Sequence, residues 1–353
     1  MKILITGGAG FIGSALIRHI LNNTEHEVIN FDALKYSGNL NSLESIENSS
    51  RYTFVHGDIC NGSLIRDTLS SLTPDGVIHL AAESHVDRSI DDAAPFIQTN
   101  IIGTYNVIEA CLSYWQALES TKKEAFTFLH VSTDEVYGDI DLSEPPCDEN
   151  HVYMPSSPYS ASKASSDHLV QSWHRTFNFP SIITNCSNNY GPFHFPEKLI
   201  PHVILSAIHG KEIPVYGNGQ QIRDWIFVED HVKGLLLAFL KGKHGQTYNI
   251  GASNEVKNID IVLKICELLE DMVEEKAPGI QHFKDLITFV KDRPGHDQRY
   301  AIDSSKIQST LGWEVHESLE SGLRKTVQWY LENDSWWQSI IDGSYSLKRI
   351  GEK

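Results

Sequence analysis

The sequence predicts an α/β protein, with a doubly wound parallel sheet in its N-terminal half and a smaller α/β domain after it. Short apolar runs rich in β-branched residues alternate with longer amphipathic stretches through the first half, which is typical of βα units. A glycine-rich segment joins the first such strand to the first helix. After residue 186 the alternation weakens into short strands, proline-containing loops and helices, which indicates a second unit.

Each element of this prediction has its own segment of sequence. Strands of the parallel sheet are predicted at 2–6, 27–31, 52–56, 76–80, 126–132 and 181–186. Amphipathic periodicity predicts helices at 11–22, 96–118, 159–177, 231–240, 259–272 and 319–332. We therefore predict one domain over residues 1–186 and another over residues 187–353, with some crossover of the chain between them.

Composition excludes several classes of function. The 353 residues carry a net charge of −17, which opposes binding to a phosphate backbone and leads us to expect no nucleic-acid partner. No stretch approaches the roughly 20 apolar residues of a membrane-spanning helix, and no basic and apolar leader follows Met1, so we expect a cytoplasmic protein that does not bind a membrane.

The cysteines and histidines show no metal-ligand pattern. The five cysteines are widely spaced and contain no C-x-x-C pair, so neither a disulfide framework nor a zinc site is expected. The 17 histidines contain no ligand-spaced cluster, and we interpret His85, His194 and His202 as packing or loop residues. No metal site is therefore predicted.

The glycine-rich segment contains Gly7, Gly10 and Gly13 between the first predicted strand and the first predicted helix. Gly7 permits a tight turn, Gly10 lets a pyrophosphate approach the backbone, and Gly13 allows close packing of the helix. The free N–H groups and positive dipole of the helix N-terminus stabilise phosphates. This context predicts a Rossmann-type dinucleotide site.

The acidic residues that follow indicate which dinucleotide binds. Asp32 lies at the end of the second strand, about 20 residues past the glycines, where a carboxylate accepts hydrogen bonds from the adenosine ribose. It would repel the 2′-phosphate of NADP, although Lys35 is nearby. Asp58 follows the third strand and is predicted to meet the adenine. NAD is therefore the predicted cofactor.

A second motif places Tyr159 and Lys163 four residues apart at the start of a predicted helix. Positions four apart share one helix face, so the ammonium group is expected to lie beside the phenol and to favour its ionised form. An ionised phenol can take the proton of a secondary alcohol during its oxidation. Ser132 and Thr133, at the end of a strand, precede this motif.

At these residues the sequence resembles the extended short-chain dehydrogenase/reductase family, over essentially the whole chain. Within that family, the stretches at 80–89, 132–138 and 185–192 resemble signatures of nucleotide-sugar dehydratases. The central stretch contains Asp134 and Glu135, an acidic pair that sugar-nucleotide epimerases of the same fold are not expected to carry. Both carboxylates must reach one site, which requires the chain to leave strand geometry there, because successive strand residues point to opposite faces.

The resemblance implies the removal of water across C5 and C6 of a dTDP-linked glucose. Oxidation at C4 makes the C5 proton acidic, a carboxylate takes that proton, and a carboxylic acid protonates the departing C6 oxygen. By resemblance, Tyr159 is the base for the 4-hydroxyl, Thr133 its hydrogen-bond partner, Asp134 the acid and Glu135 the C5 base. Lys163 completes the catalytic set.

The motifs and the resemblance together imply two sets of binding residues. The predicted cofactor site comprises Gly7, Gly10, Phe11, Ile12, Gly13, Asp32, Lys35, Asp58, Ile59, Leu80, Ala81, Ala82, Ser84, Thr99, Tyr159, Lys163 and Asn189. The predicted substrate site comprises Ser84, Thr133, Asn188, Lys198, Leu199, Pro214, Val215, Tyr216, Arg223, Asn258, Arg293 and His296. Residues 138–156 are assigned no function.

Two other functions stay open. A nucleotide-sugar 4-epimerase or decarboxylase would share the fold, and Asp134 with Glu135 argues against it. A non-catalytic NAD-sensing or scaffold protein would keep only the glycine motif, and retention of Thr133, Tyr159 and Lys163 argues against that.

The resemblance also implies a homodimer formed through helices 96–118 and 159–177.

Overall fold

The computed structural model of the chain describes residues 1–343, so the last part of the predicted second domain, residues 344–353, lies outside the described residues. The strands are β1 Lys2–Thr6, β2 Glu27–Asp32, β3 Tyr52–His56, β4 Gly76–His79, β5 Thr127–Thr133, β6 Ser181–Cys186, β7 Asn188–Tyr190, β8 Ile213–Tyr216, β9 Ile222–Phe227, β10 Thr247–Ile250, β11 Glu255–Lys257 and β12 Ile287–Val290. Predicted strand bounds differ from these by at most one residue at either end.

The α-helices are α1 Phe11–Asn23, α2 Gly62–Leu72, α3 Val86–Asp91, α4 Ala94–Phe96, α5 Thr104–Ala117, α6 Ser120–Ala125, α7 Pro158–Phe177, α8 Leu199–Ile208, α9 Val228–Lys241, α10 Asn258–Met272, α11 Ser305–Leu311, α12 Leu319–Glu332 and α13 Asp334–Gly343. Short 3₁₀ helices lie at Leu40–Ile46, Asp134–Val136 and Phe283–Leu286, and a π-helix at Ile97–Gly103 joins α4 to α5. The predicted regular helix at 96–118 is therefore interrupted by a wider turn.

The main sheet has seven strands in the order β10-β6-β5-β4-β1-β2-β3, and all of its pairings are parallel. Alternate residues of β1 face opposite layers: Ile3 and Ile5 pack with α1 and α9, whereas Leu4 packs with α2, α5 and α7. Helices thus cover both faces, which confirms the predicted doubly wound α/β class.

Part of the C-terminal half completes the first sheet. β10 pairs with β6, and α9 packs against α1 beneath the glycine-rich turn. The chain thus returns to the N-terminal unit well after residue 186, beyond which the alternation of strand and helix patterns is weak.

The remaining C-terminal elements form a smaller unit with its own core. Its sheets are β11-β9-β7 and β12-β8, and its apolar core comes mainly from α8, α10, α12 and α13. Within the described residues, no helix combines the length and the apolar character that crossing a membrane requires.

Candidate active site

A cavity of about 340 Å³ lies at the carboxyl ends of the parallel strands, where β1 and β4 are neighbours in the sheet. The chain winds outward in opposite directions from this pair of strands, and such a switch point leaves a crevice between the following loops. Every residue that the sequence predicted for the cofactor site lines this cavity, as do all five predicted catalytic residues.

The glycine-rich turn is fixed by close backbone contacts. Gly7 has φ +74°, and a Cβ atom there would lie 2.6 Å from the backbone nitrogen of Ala81 at the end of β4. A Cβ atom at Gly13 would lie 2.2 Å from the Gly7 carbonyl oxygen. The turn therefore packs directly between β4 and α1, and the N-terminus of α1 points its first N–H groups at the cavity.

Asp32 lies at the end of β2 and is almost fully buried. One carboxylate oxygen accepts a hydrogen bond of 2.9 Å from the Ala9 N–H, and the other accepts one of 2.8 Å from the Leu34 N–H. Burial raises the pKa of Asp32, and these two bonds act against that rise. The carboxylate thus holds the glycine-rich turn in place while it lines the cavity.

Lys35 and Asp58 also line the cavity. The Lys35 ammonium lies 3.4 Å from Asp58 and 3.8 Å from Glu83, and donates a hydrogen bond of 3.3 Å to the Thr99 hydroxyl. Thr99 belongs to the π-helix, and π-turns inside helices are frequent at functional sites. Lys35, the cation near Asp32, is therefore paired with two carboxylates.

The chain leaves strand geometry where the acidic pair requires it. β5 ends at Thr133, and a 3₁₀ turn over Asp134–Val136 follows at once. The Thr133 hydroxyl accepts the Glu135 N–H at 3.3 Å and lies 3.3 Å from the Asp134 carboxylate. This turn brings both carboxylates to the wall of one cavity.

The two carboxylates have different electrostatic surroundings. Burial, and then the negative charges of Glu135 and Asp224, raise the pKa of Asp134 well above its usual range, although Arg223 acts against this. Burial also raises the pKa of Glu135, but Arg293, Arg223 and Lys198 act in the opposite direction. Asp134 thus favours its protonated form more strongly than Glu135 does.

Tyr159 and Lys163 lie in the first turns of α7, which begins at Pro158 with Ser157 as its N-cap. The Lys163 ammonium donates a hydrogen bond of 2.9 Å to the Val131 carbonyl oxygen. Burial, and then the charge of Glu135, raise the pKa of Tyr159 well above its usual value, while a hydrogen bond from Thr133 acts against this. The neighbouring ammonium group of Lys163 predicts a lowered pKa for Tyr159, but in the protein alone this pKa is raised.

The predicted substrate residues fall into two groups. Those that line the cavity are Ser84, Thr133, Asn188, Lys198 and Leu199. Those outside its lining are Pro214, Val215, Tyr216, Arg223, Asn258, Arg293 and His296.

The second group is nevertheless interconnected. The rings of Tyr216 and His296 lie 6.1 Å apart, edge to face, and Tyr216 and Arg293 both contact Asp87. Arg223 lies with its guanidinium 4.1 Å from the ring centre of Tyr300 and donates to two backbone carbonyls. Arg223 and Arg293 also influence Glu135, so this cluster adjoins the acidic pair.

Several cavity residues were not predicted from the sequence. His194 lines the cavity, with its ring 4.2 Å from that of Phe11 and almost parallel to it, so its interpretation as a packing or loop residue is incomplete. Trp225 also lines the cavity, and its buried indole N–H has no hydrogen-bond partner among residues 1–343. Both residues reach the cavity from loops and strands distant in sequence, and neither carries a motif that could have indicated its place.

No metal centre accompanies these groups: within residues 1–343, no three His, Cys, Asp or Glu side chains are placed to hold a metal ion. The site instead combines a dinucleotide-type turn, a phenol, an ammonium group and two unequal carboxylates. Such a set is suited to oxidising an alcohol and to moving protons at neighbouring carbons.

Comparison with known proteins agrees with this geometry. The model of the family described as GDP-mannose 4,6 dehydratase matches residues 4–326. The chain belongs to this family. This confirms the resemblance to the extended short-chain dehydrogenases/reductases.

Individual members of the family are similar over nearly the whole chain. A dTDP-glucose 4,6-dehydratase of Escherichia coli is 58% identical over 359 residues, which cover 99% of each chain. The crystal structure of the Bacillus anthracis dTDP-glucose 4,6-dehydratase in complex with NAD matches with a TM-score of 0.85 and 40% identity, covering 96% of this chain and 99% of that one. The Streptomyces venezuelae enzyme with NAD bound matches with a TM-score of 0.86 and 38% identity, covering 96% and 100%.

Proposed function

We propose that this protein is a dTDP-glucose 4,6-dehydratase that uses tightly held NAD and produces dTDP-4-keto-6-deoxyglucose and water. The observation that carries the proposal is the turn at Asp134–Val136, by which two carboxylates with unequally raised pKa values line the same cavity as Tyr159. The names of the similar proteins support the same reaction.

The cavity fits NAD. The close approach of Gly7 and Ala81 and the free N-terminus of α1 provide a cradle for a pyrophosphate. Asp32 would accept hydrogen bonds from the adenosine ribose, and Lys35 is paired with carboxylates, which leaves little positive charge for a 2′-phosphate. When bound, NAD supplies reversible oxidation at C4 and reduction at C6 of the sugar.

Tyr159 takes the proton of the 4-hydroxyl in this proposal. Its phenol is buried, lines the cavity and receives a hydrogen bond from Thr133, which favours the ionised form. Lys163 is buried one helical turn later, and burial lowers its pKa while the charge of Asp167 acts against that fall. The positive nicotinamide ring is needed in addition, because in the protein alone the pKa of Tyr159 is raised.

Glu135 and Asp134 divide the elimination between them. Glu135, whose ionised form is favoured by three nearby cations, takes the proton from C5. Asp134, whose pKa is raised furthest by burial and by two carboxylates, keeps the proton that the departing C6 oxygen requires. Neighbouring carboxylates with divergent pKa values are a recurring means of running acid and base steps at one pH.

A screen of nucleotide sugars tests the proposed reaction. The purified protein is incubated separately with dTDP-glucose, UDP-glucose and GDP-mannose, and each product is examined by mass spectrometry. We expect loss of one water from dTDP-glucose, because the acid and the base both face the cavity. An epimerase would change no mass, and either that result or a faster loss of water from another nucleotide sugar would contradict the proposal.

We also propose that the protein is a homodimer joined through α5 and α7. Apolar side chains are exposed on α5, on α7 and on the π-helix that leads into α5: Tyr105 is 43% exposed, Phe177 43%, Ile97 52% and Ile102 42%. Tyr105 contacts Trp173 edge to face at 6.1 Å, and Trp173 contacts Phe177 at 6.0 Å, so an aromatic row crosses from one helix to the other. Exposed apolar side chains on neighbouring elements are typical of an interface.

Replacing Ile102 by Glu is expected to convert the dimer to a monomer at micromolar concentration, because the interface would have to bury an unpaired carboxylate. Sedimentation velocity measures the change. Leu240→Glu is the matched control, since Leu240 is equally exposed at 42% but lies on α9. A monomeric wild-type protein, or a dimer that survives Ile102→Glu, contradicts this assignment.

A further inference from the structure

A buried ion pair connects helix α3, between β4 and α4, to the loop that carries Arg293. Asp87 Oδ1 lies 2.5 Å from Arg293 Nη1, and Asp87 Oδ2 accepts a hydrogen bond of 2.7 Å from the Tyr216 hydroxyl. The side chain of Asp87 is 7% exposed and that of Arg293 is 15% exposed. A charge-assisted pair with this burial fixes geometry far more firmly than an exposed one.

Asp87 is itself held by the catalytic part of the fold. The His85 side chain caps the start of α3 by accepting the Arg88 N–H at 3.5 Å. On the same helix, the Ser89 hydroxyl accepts the Tyr159 N–H at 3.2 Å. The helix that presents the Asp87 carboxylate is therefore tied to the first turn of α7.

The Arg293 guanidinium group retains a hydrogen-bond donor for a ligand. Arg293 Nε is buried without a hydrogen-bond partner in the described structure, and a guanidinium group has five N–H donors. The Arg293 charge is also the largest of those that act to lower the pKa of Glu135. Arg293 thus acts on Glu135 and shares the Asp87 carboxylate with Tyr216, so it is suited to contact a sugar joined to a nucleotide diphosphate.

We propose that Asp87 is a positioning residue for nucleotide-sugar binding, which holds the Arg293 guanidinium and the Tyr216 ring in their binding positions before the substrate arrives. This inference rests on the proposed function, because it takes Arg293 and Tyr216 as substrate contacts. One carboxylate orders two side chains from the other half of the molecule. The substrate then binds without the cost of ordering them.

Steady-state kinetics with dTDP-glucose and titration with thymidine diphosphate test the proposal. Asp87→Ala is expected to raise KM for dTDP-glucose and Kd for thymidine diphosphate about tenfold or more, since it leaves a buried guanidinium unpaired. The value of kcat should fall less than about threefold, because the reacting groups stay in place. NAD content should be unchanged, and Asp87→Glu, which keeps the carboxylate, should restore part of the affinity.

Two comparisons separate positioning from general stabilisation. Asp271→Asn removes a carboxylate from an exposed pair with Arg324 at 3.7 Å and should leave KM at the wild-type value. Adding Asp87→Ala to Arg293→Ala should raise KM by less than Asp87→Ala does alone, because the group that Asp87 holds is already gone. If Asp87→Ala folds poorly, Asp87→Asn keeps an acceptor for Tyr216 and removes the ion pair alone, and its KM should still rise.

The outcomes distinguish this inference from the proposed function. An Asp87→Asn variant with wild-type KM and Kd, a fully additive double variant, or a parallel loss of NAD content would each overturn the positioning role. A wild-type protein that binds thymidine diphosphate without dehydrating dTDP-glucose would contradict the proposed reaction instead. In that case the Kd values of the Asp87 variants for thymidine diphosphate still test whether Asp87 positions Arg293 and Tyr216.

Discussion

Glu135→Gln is expected to stop the reaction after oxidation at C4, with dehydration slowed about 10²- to 10⁴-fold. The amide keeps the size of the side chain but cannot take the C5 proton. Tyr159, Thr133 and Lys163 are unchanged, so the sugar should still be oxidised. Reduced cofactor should therefore accumulate on the enzyme, visible by its absorbance, while exchange of the C5 hydrogen with solvent deuterium becomes slow.

Glu229→Gln is the matched control for Glu135→Gln, because it also removes a partly buried carboxylate. Glu229 is also partly buried, and burial likewise raises its pKa, but it lies outside the lining of the cavity. Glu229→Gln should dehydrate dTDP-glucose at close to the wild-type rate. If Glu135→Gln does so too, the carboxylate pair is not the feature that separates this protein from an epimerase, and the proposed mechanism is abandoned.

Tyr159→Phe should block the reaction one step earlier. Removal of the hydroxyl takes away the group that accepts the proton of the 4-hydroxyl, so oxidation is expected to slow about 10²- to 10⁴-fold. Little reduced cofactor should appear on mixing with dTDP-glucose, in contrast to Glu135→Gln. Stopped-flow absorbance distinguishes the two variants in one experiment.

Tyr114→Phe is the corresponding control, because it removes a hydroxyl that donates to the Pro74 carbonyl oxygen at 3.0 Å, away from the cavity. Its turnover should match that of the wild type. Rapid formation of reduced cofactor in Tyr159→Phe would show that another group takes the alcohol proton.

Local patterns in the sequence were sufficient for much of the fold and for the cofactor side of the cavity. Parallel strands buried on both faces are continuous apolar runs, so β1 to β6 could be predicted to within one residue at either end. The turn at Gly7–Gly13 and the pair Tyr159 and Lys163 are contiguous motifs. Their side chains meet because the carboxyl ends of neighbouring parallel strands lie at one edge of the sheet.

The substrate side was predicted from resemblance, and its arrangement was not visible in the residues alone. Tyr216, Arg293 and Asp87 lie on separate segments, and their contact depends on how the smaller unit folds against the first. The sequence predicted the helix that became α9 and some crossover of the chain, but not β10, because a short edge strand carries little periodicity.

What the sequence by itself determined is which groups are present and which local elements carry them: the glycine-rich turn, the phenol with its ammonium group, and the acidic pair at the end of β5. The tertiary structure decided how those groups behave. Burial raises the pKa of both carboxyl groups, but unequally, because Glu135 and Asp224 add to the rise at Asp134 whereas Arg293 and Lys198 oppose it at Glu135, and Arg223 acts on both. Burial and charge depend on neighbours brought together by folding, so adjacent residues of the same type can acquire opposite roles.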